Sequence, residues 1–200
     1  MGSDRNTPAD SSWIDALVAW AERCKITIPQ DGDHLRKLTI LDISECAIAY
    51  LPEAIGNLTS LTMLFLQGNQ LTELPPEIGR LTNLTVLNLR RNKLRELPET
   101  IGDLTSLTEL WLGGNQLTDL PPTISKLARL QRLGLRDNNF TKLPSAIGKL
   151  ENLTTLNLCG NGLTADDLPI ELQTMVTDGL LNVDWISWSS STTLSSPHSF

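Results

Sequence analysis

Cysteine, histidine and aromatic residues are scarce in this chain of 200 residues, and it contains no long apolar run. A transmembrane helix needs roughly 18 consecutive apolar residues, so the sequence predicts no membrane span. The three cysteines are Cys24, Cys46 and Cys159. An odd and sparse set gives neither a disulfide framework nor the spacing of metal ligands. It predicts reduced thiols, a reducing compartment and no metal site.

The motifs of familiar enzymes are also absent. The two histidines, His34 and His198, have no nucleophile placed near them by any pattern in the sequence. The chain has no G-x-S-x-G, P-loop, H-E-x-x-H or C-x-x-C motif. Asp166 and Asp167 allow a metal or acid–base interpretation, but a solvated loop or a helix cap accounts for them more simply. We therefore expect no enzymatic activity, no catalytic residue and no cofactor.

Basic residues are outnumbered by acidic ones. With 16 Lys and Arg against 23 Asp and Glu, the formal net charge is −7. Nucleic-acid binders usually carry a basic surface and anionic lipids attract basic segments, so the charge argues against both as partners. The first residues, MGSDRNTPAD, lack the basic region and the apolar stretch of a secretory signal. This predicts a cytoplasmic protein, unless it is exported by a non-classical or effector route.

What the chain does have is a repeat of 23 residues. Leucines recur at this spacing without exception, at Leu38, Leu61, Leu84, Leu107, Leu130 and Leu153. Each opens the pattern L-x-x-L-x-[LI]-x-x-[NC]-x-[LIF], and the second half of the repeat reads x-x-L-P-x-x-I-x-x-L-x-x in the first five. The fourth repeat, for example, begins LTELWLGGNQL. Such self-similarity at a fixed period predicts a solenoid of stacked repeats.

Each part of the repeat has a structural meaning. In L-x-L, two apolar side chains point to one face of a short strand and the residue between them points to the other. The Asn that follows ends the strand, where its amide can bond the backbone of its own turn and of the neighbouring one. The L-P step starts a short helical or extended return segment. One repeat cannot bury enough surface to offset its ordering entropy, so neighbours must stack with their strands in one parallel sheet.

Over residues 38–175 this pattern resembles the leucine-rich repeat family, in the 23-residue form of Ras-suppressor-type and bacterial repeat proteins. The resemblance implies an α/β fold, a right-handed solenoid curved like part of a horseshoe. It places a short parallel sheet on the concave side and a helical cap at the N-terminus. It also implies protein binding, without naming the partner. We therefore expect a non-enzymatic, monomeric protein-binding module or scaffold. The alternatives are a translocated bacterial effector that binds a host protein and, more remotely, an enzyme.

Both ends of a solenoid need a cover. Ser12 is a typical helix N-cap, and the apolar residues that follow at helical spacing, from Trp13 to Cys24, are predicted to pack on the first repeat rather than on a membrane or a partner helix. The sixth repeat is longer by two residues and reaches its proline at Pro169. These signals predict a flexible N-terminus at 1–10, a helical cap and link at 11–37, six repeats at 38–175, a C-terminal cap at 176–188 and a disordered Ser-rich tail at 189–200.

The outward strand positions hold the residues that differ between repeats, and in this family such positions usually determine binding. Phe65 and Trp111 are predicted on strands two apart, about 10 Å from each other. Met63 and Val86 adjoin them. A contiguous patch of exposed apolar residues suggests a protein interface. The alternative is a scatter of surface apolar residues, or contact with a folded-over tail.

A second feature of the same face is a group of arginines. Gly113 and Gly114 leave a bare spot between Arg90 and Arg91 on one side and Arg136 on the other. A partner's carboxylate or phosphate fits against such guanidinium groups. Internal ion pairing is the alternative, because Asp137 follows Arg136 and Glu109 faces Arg132. The predicted partner-binding residues are thus Met63, Phe65, Arg90, Arg91, Trp111, Arg132 and Arg136, and the expected partner is a protein with acidic or phosphorylated groups.

Overall fold

The computed structural model describes residues 8–184, and of residues 8–11 the backbone alone. One parallel sheet of seven strands runs through it in sequence order. Each strand has three residues, and the register between neighbours in the repeats is one repeat, so that Leu64, Leu87 and Leu110 lie side by side. The strands are β1 (Ile40–Asp42), β2 (Met63–Phe65), β3 (Val86–Asn88), β4 (Glu109–Trp111), β5 (Arg132–Gly134), β6 (Thr155–Asn157) and β7 (Asn182–Asp184). The predicted α/β solenoid with a parallel sheet is confirmed.

Short 3-10 helices carry the chain back to the next strand. They follow the L-P step of the first five repeats, at Glu53–Asn57, Pro76–Arg80, Glu99–Asp103, Pro122–Lys126 and Ser145–Lys149. The proline before each helix is extended, as at Pro98 (φ −66°, ψ 149°), and the following residue enters the helix. The sequence left a helical and an extended return segment open, and the structure adopts the helical one.

The core lies between the sheet and the return segments. The leucines of L-x-L and the isoleucine of each return segment are buried throughout the central repeats, for example Leu110, Leu112 and Ile124. Removing an aliphatic side chain of this size from water stabilises a fold by about 1.5–3 kcal/mol. Because these positions recur every 23 residues, the core is one continuous column that each repeat shares with its neighbours.

A ladder of asparagine side chains joins the turns after the strands. The Nδ2 of Asn92 donates to the carbonyls of Leu66 (3.0 Å) and Leu89 (3.0 Å), and its Oδ1 accepts from the N–H of Leu71 (3.0 Å). The same arrangement occurs at Asn69, Asn115, Asn138 and Asn161. Since each amide bonds its own turn and the preceding one, the ladder satisfies buried backbone groups where the strands end.

The N-terminal end of the column is covered by two helices, α1 (Pro8–Arg23) and α2 (Gly32–Arg36). Leu17 and Trp20 of α1 are buried against the first repeat, and the indole Nε1 of Trp20 donates to the carbonyl of Tyr50 (3.2 Å). The helix begins at Pro8, so the prediction of Ser12 as its N-cap was wrong. A proline suits the first turn of a helix because the N–H that it lacks has no partner there. None of the helices described here is both long and apolar enough to cross a membrane.

The C-terminal end departs from the repeat. A 3-10 turn, Ala165–Asp167, is closed by a capping box in which the N–H and hydroxyl of Thr164 donate to the carboxylate of Asp167. Helix α3 (Ile170–Thr177) follows, and β7 then pairs with β6. The sequence predicted a cover at this point and missed that it adds a strand. The end of the predicted C-terminal cap, residues 185–188, and the predicted disordered tail at 189–200 lie outside the described residues, as do residues 1–7.

Candidate functional site

The candidate site is the outward surface of the sheet, which we call the sheet face. It consists of the first and third residues of each strand, together with the second and third residues that follow the end of that strand. In β2 and β4 the middle leucine is fully buried while both flanking side chains are partly exposed. The alternation of the L-x-L motif therefore places the predicted site residues Met63, Phe65 and Trp111 on this surface.

An apolar patch occupies the N-terminal half of the sheet face. It consists of Ile40, Met63, Phe65 and Val86. Ile40 pairs with Met63, and Met63 with Val86, across three neighbouring strands. Ile40 is 51% exposed, and the others are half-buried. Ile40 is not among the predicted site residues, although it precedes the second core leucine of its repeat, as Met63 does one repeat later.

Trp111 does not stand free on the sheet face. A Cβ built on Gly134 would lie 2.5 Å from its Cε3, so the indole ring covers that glycine on the next strand. The guanidinium carbon of Arg90 lies 4.0 Å from the ring centroid, within cation–π range. The indole Nε1 donates to a carboxylate oxygen of Glu109 (3.0 Å). These three contacts fix the position of the ring between Arg90 and Gly134.

Beside this ring the sheet face has a depression of about 360 Å³. We call it the cationic depression. It is lined by Arg90, Arg91, Trp111, Gly113, Gly134, Arg136, Asp137 and Asn157. The structure therefore brings together three of the predicted arginines with the predicted bare glycine, and adds Gly134 and Asn157, which the sequence did not single out.

The arginines of this region differ in their partners. Arg132 forms an ion pair with Glu109, and the Nε of Arg136 donates to the carboxylate of Asp137 (2.9 Å). The hydrogen bond to Asp137 raises the pKa of Arg136. Within residues 8–184, Arg90 and Arg91 make no ion pair. Internal ion pairing thus accounts for Arg132 and Arg136, whereas Arg90 and Arg91 have no ion-pair partner in residues 8–184.

The guanidinium group of Arg90 is partly buried. Burial lowers the pKa of its guanidinium below the usual value, and the carboxylate of Glu109 opposes that shift only in part. The guanidinium stays charged at neutral pH, because the usual pKa of arginine lies far above neutrality. A desolvated cation without an ion-pair partner interacts more strongly with an incoming anion than a fully hydrated one does.

Backbone conformation positions Arg91 and Asp137 beside the cationic depression. The residue before each ladder position has a positive φ: 53° at Arg91, 71° at Gly114 and 52° at Asp137. Side chains other than glycine rarely adopt this region. At Gly114 an added Cβ would lie 3.5 Å from the Cγ of Arg91, and at Gly160 it would overlap the carboxylate of Asp137. The side chain of one repeat therefore lies across the glycine of the next.

Two observations concern metal ligands and the histidines. Between residues 8 and 184 no group of three or more His, Cys, Asp or Glu side chains is placed to hold a metal ion. His34 is exposed at the start of α2, where its N–H donates to the N-cap Asp31 (2.9 Å) and its ring Nδ1 contacts the same carboxylate. The bond from that N–H lowers the pKa of Asp31. These are contacts of a helix cap, and His198 lies outside the described residues.

Comparison with known proteins gives consistent matches. Family models described as "Leucine-rich repeat region", "Leucine rich repeat" and "Leucine Rich Repeat" match residues 21–119, 105–163 and 152–175. A comparison with curated proteins found no match. The three matched stretches overlap, and together they extend from α1 to α3.

Two solved structures are similar to the chain. One is the LRR ectodomain of the plant membrane receptor kinase GASSHO1/SCHENGEN3 from Arabidopsis thaliana, in complex with CASPARIAN STRIP INTEGRITY FACTOR 2, with a TM-score of 0.56 and 37% identity over 68% of this chain. The other is an internalin from Listeria monocytogenes, with a TM-score of 0.56 and 27% identity over 70% of this chain. This chain spans 17% of the first protein's length and 39% of the second's.

Proposed function

The chain belongs to the leucine-rich repeat family, and we propose that it is a non-enzymatic protein-binding module whose partner docks on the sheet face. Proteins of this family generally mediate protein–protein interactions, and one solved relative is a receptor ectodomain bound to a protein ligand. Family membership names no partner. The proposal therefore rests on what this chain places at its variable positions.

The observation that carries the proposal is the pairing of an apolar patch with a cationic depression on one continuous surface. Ile40, Met63, Phe65 and Val86 offer adjoining apolar area on the first three strands. Protein interfaces concentrate binding energy in apolar and aromatic anchors and in arginines. The overall charge of −7 makes a cationic depression on this face a local departure from the rest of the molecule. We propose Phe65 and Trp111 as anchors, with Arg90 and Arg91 orienting acidic groups of the partner.

Affinity capture with the whole chain as bait tests this proposal. The comparison is between the unmodified chain and the double variant Phe65→Ala/Trp111→Ala. Truncating two anchor residues costs about 2 kcal/mol or more each, so capture of the partner should fall at least tenfold. The matched control is Tyr50→Ala/Ile170→Ala, which removes exposed apolar side chains (49% and 67% exposed) away from the sheet face. That variant should capture the partner like the unmodified chain.

The single variant Phe65→Ala separates binding from local structure. Trp111 packs on Gly134 and Arg90, so its truncation also disturbs the sheet face, whereas no ring or hydrogen-bond contact of the Phe65 side chain occurs in the described part of the chain. Phe65→Ala should weaken capture with little change in thermal stability. Undiminished capture by both the single and the double variant would exclude the sheet face as the docking surface.

We also propose a cytoplasmic location, on the sequence features alone. An odd and sparse set of cysteines is typical of a reducing compartment. Fractionation of cells that express the tagged protein tests this location. Accumulation in the culture medium that depends on a dedicated secretion system would favour the translocated effector instead.

A further inference from the structure

An unusual feature of the cationic depression lies in its backbone. In repeats one, three and six the third residue of the strand, which faces outward, is Asp42, Asn88 and Asn157 respectively. Its side-chain Oδ1 accepts a hydrogen bond from the backbone N–H two residues later. The N–H groups are those of Ser44 (3.1 Å), Arg90 (3.2 Å) and Cys159 (3.3 Å). These bonds show that this N–H is open to the sheet face, because the side chains that reach it lie there.

In repeats four and five the acceptor is missing. Trp111 and Gly134 occupy the outward position, and neither side chain has an oxygen. Within the described residues the N–H groups of Gly113 and Arg136 donate to nothing, while the N–H groups on either side of them are bonded in the sheet, as at Leu112 (2.7 Å to the carbonyl of Gly134). Both unpaired groups belong to residues that line the cationic depression.

The two unpaired donors are neighbours. Gly113 and Arg136 occupy the same place in adjacent repeats, since β4 and β5 pair with Trp111 opposite Gly134. Adjacent strands lie about 4.8 Å apart, a spacing that one carboxylate can bridge with an oxygen on each N–H. Arg90 and Arg91, which have no ion-pair partner in residues 8–184, border the same space.

We propose that the cationic depression is a carboxylate-binding site, in which an acidic group of the partner accepts the N–H groups of Gly113 and Arg136 beside the guanidinium groups of Arg90 and Arg91. The ligand takes the place that the Asp42 carboxylate occupies in the first repeat. That internal example favours a carboxylate over a phosphate, because the equivalent N–H of the first repeat, that of Ser44, already donates to a carboxylate oxygen at 3.1 Å. The glycine at 113 leaves room for close approach. Only the source of the carboxylate, a protein partner docked on the sheet face, rests on the proposed function.

Asp137 limits the affinity of this site without filling it. Its carboxylate overlaps the place of a Cβ on Gly160 and accepts from Arg136, so it points toward the sixth repeat. Its charge opposes an incoming anion, but neither unpaired N–H donates to it. The backbone N–H of Arg136 thus donates to the ligand, while its side chain pairs with the carboxylate of Asp137 and keeps it away from the two N–H groups.

Nuclear magnetic resonance of the ¹⁵N-labelled full chain tests the proposal without a partner. Sodium acetate, inorganic phosphate and sodium chloride are titrated at matched ionic strength. Acetate should give saturable shifts at the amides of Gly113 and Arg136 and little shift at Gln67, whose N–H is also unpaired but lies outside the depression. Equal shifts with chloride, or shifts with phosphate and none with acetate, would overturn the carboxylate assignment.

Three further variants connect these shifts to the residues of the cationic depression. Hydrogen bonds to charged groups are stronger than those between neutral groups, so Arg90→Gln/Arg91→Gln should weaken acetate binding at least tenfold. Arg95→Gln removes an exposed arginine that bonds Gln116 outside the depression, and it should leave binding unchanged. Trp111→Asn supplies an acceptor for Gly113 as Asn88 does for Arg90, and should abolish the acetate shift at Gly113. Loss of the shift in Arg95→Gln, or its survival in the other two variants, would refute the site even where the sheet face still captures a protein.

Discussion

Glycines in the return segments determine how closely consecutive repeats approach. A Cβ added to Gly102 would lie 2.4 Å from the carbonyl oxygen of Thr123 in the next repeat, and one added to Gly79 would lie 2.6 Å from that of Thr100. Backbone atoms at such distances cannot rotate aside as a side chain can. The fourth repeat has Ser125 at this place, so that repeat already accommodates a Cβ.

Gly102→Ala should therefore lower the free energy of unfolding by about 1–3 kcal/mol, the usual cost of overpacking. Ser125→Ala is the matched control, because it changes the equivalent position of the next repeat without adding a Cβ. We expect its effect to stay within about 0.5 kcal/mol. Urea denaturation measures both. Equal losses in the two variants would show that the glycine does not determine the spacing of the repeats.

At the scale of an element, β7 closes the sheet with little of the repeat pattern. Its strand is anchored by Leu181, which is 4% exposed, whereas the adjacent Leu180 is 63% exposed. The carbonyl of Asp184 in β7 also accepts from the thiol of Cys159, which is buried. Cys159 therefore reports whether β7 is docked.

Leu181→Ala should loosen β7 and expose that thiol. Truncating a buried leucine costs about 2–5 kcal/mol, so alkylation of Cys159 should become at least tenfold faster in mass-spectrometric measurements. Leu180→Ala removes a side chain of the same size from an exposed position and should leave the rate unchanged. Cys46, near the other end of the sheet, serves as the internal reference. An unaltered rate at Cys159 in Leu181→Ala would mean that this leucine does not hold the strand.

These elements also show what a sequence can predict and what it cannot. The strands follow from L-x-L at a fixed period, and so does the side on which Phe65 and Trp111 lie. The 3-10 form of the return segments did not follow, because a proline restricts its own φ and not the conformation after it. Strand β7 was missed because Asn182–Asp184 lacks the leucines of the motif. The indole over Gly134 and the unpaired N–H groups depend on rotamers and on neighbouring repeats, which a single repeat does not encode.

At the scale of the whole molecule, stability is shared along one axis. Each inner repeat packs on two neighbours, while the first and last depend on caps of different construction. In such a column opening starts from the ends. The ladder N–H groups that bond to asparagine Oδ1 atoms lie at equivalent points of successive repeats, which makes them matched probes of this gradient.

Hydrogen exchange should show this gradient directly. The amides of Leu94 and Leu117, bonded to Asn115 and Asn138 at 3.0 Å each, should exchange at least tenfold more slowly than that of Phe140, bonded to Asn161 at 3.2 Å. Each of the three amides donates to the ladder asparagine of the next repeat, so a difference that remains after correction for intrinsic exchange rates reflects position in the column. Equal protection at all three amides would indicate that the molecule opens only as a single unit.

The constant register between strands has a consequence for how such a surface can change over time. Loss of residues 84–106, one whole repeat, would join two segments that already fit each other, and Phe65 and Trp111 would then lie on adjacent strands. Their separation would fall from about 10 Å to about 5 Å, and Arg90 and Arg91 would leave with the lost repeat. Recombination between repeats therefore alters both the spacing and the chemistry of the binding surface in a single step, while the buried column keeps its form.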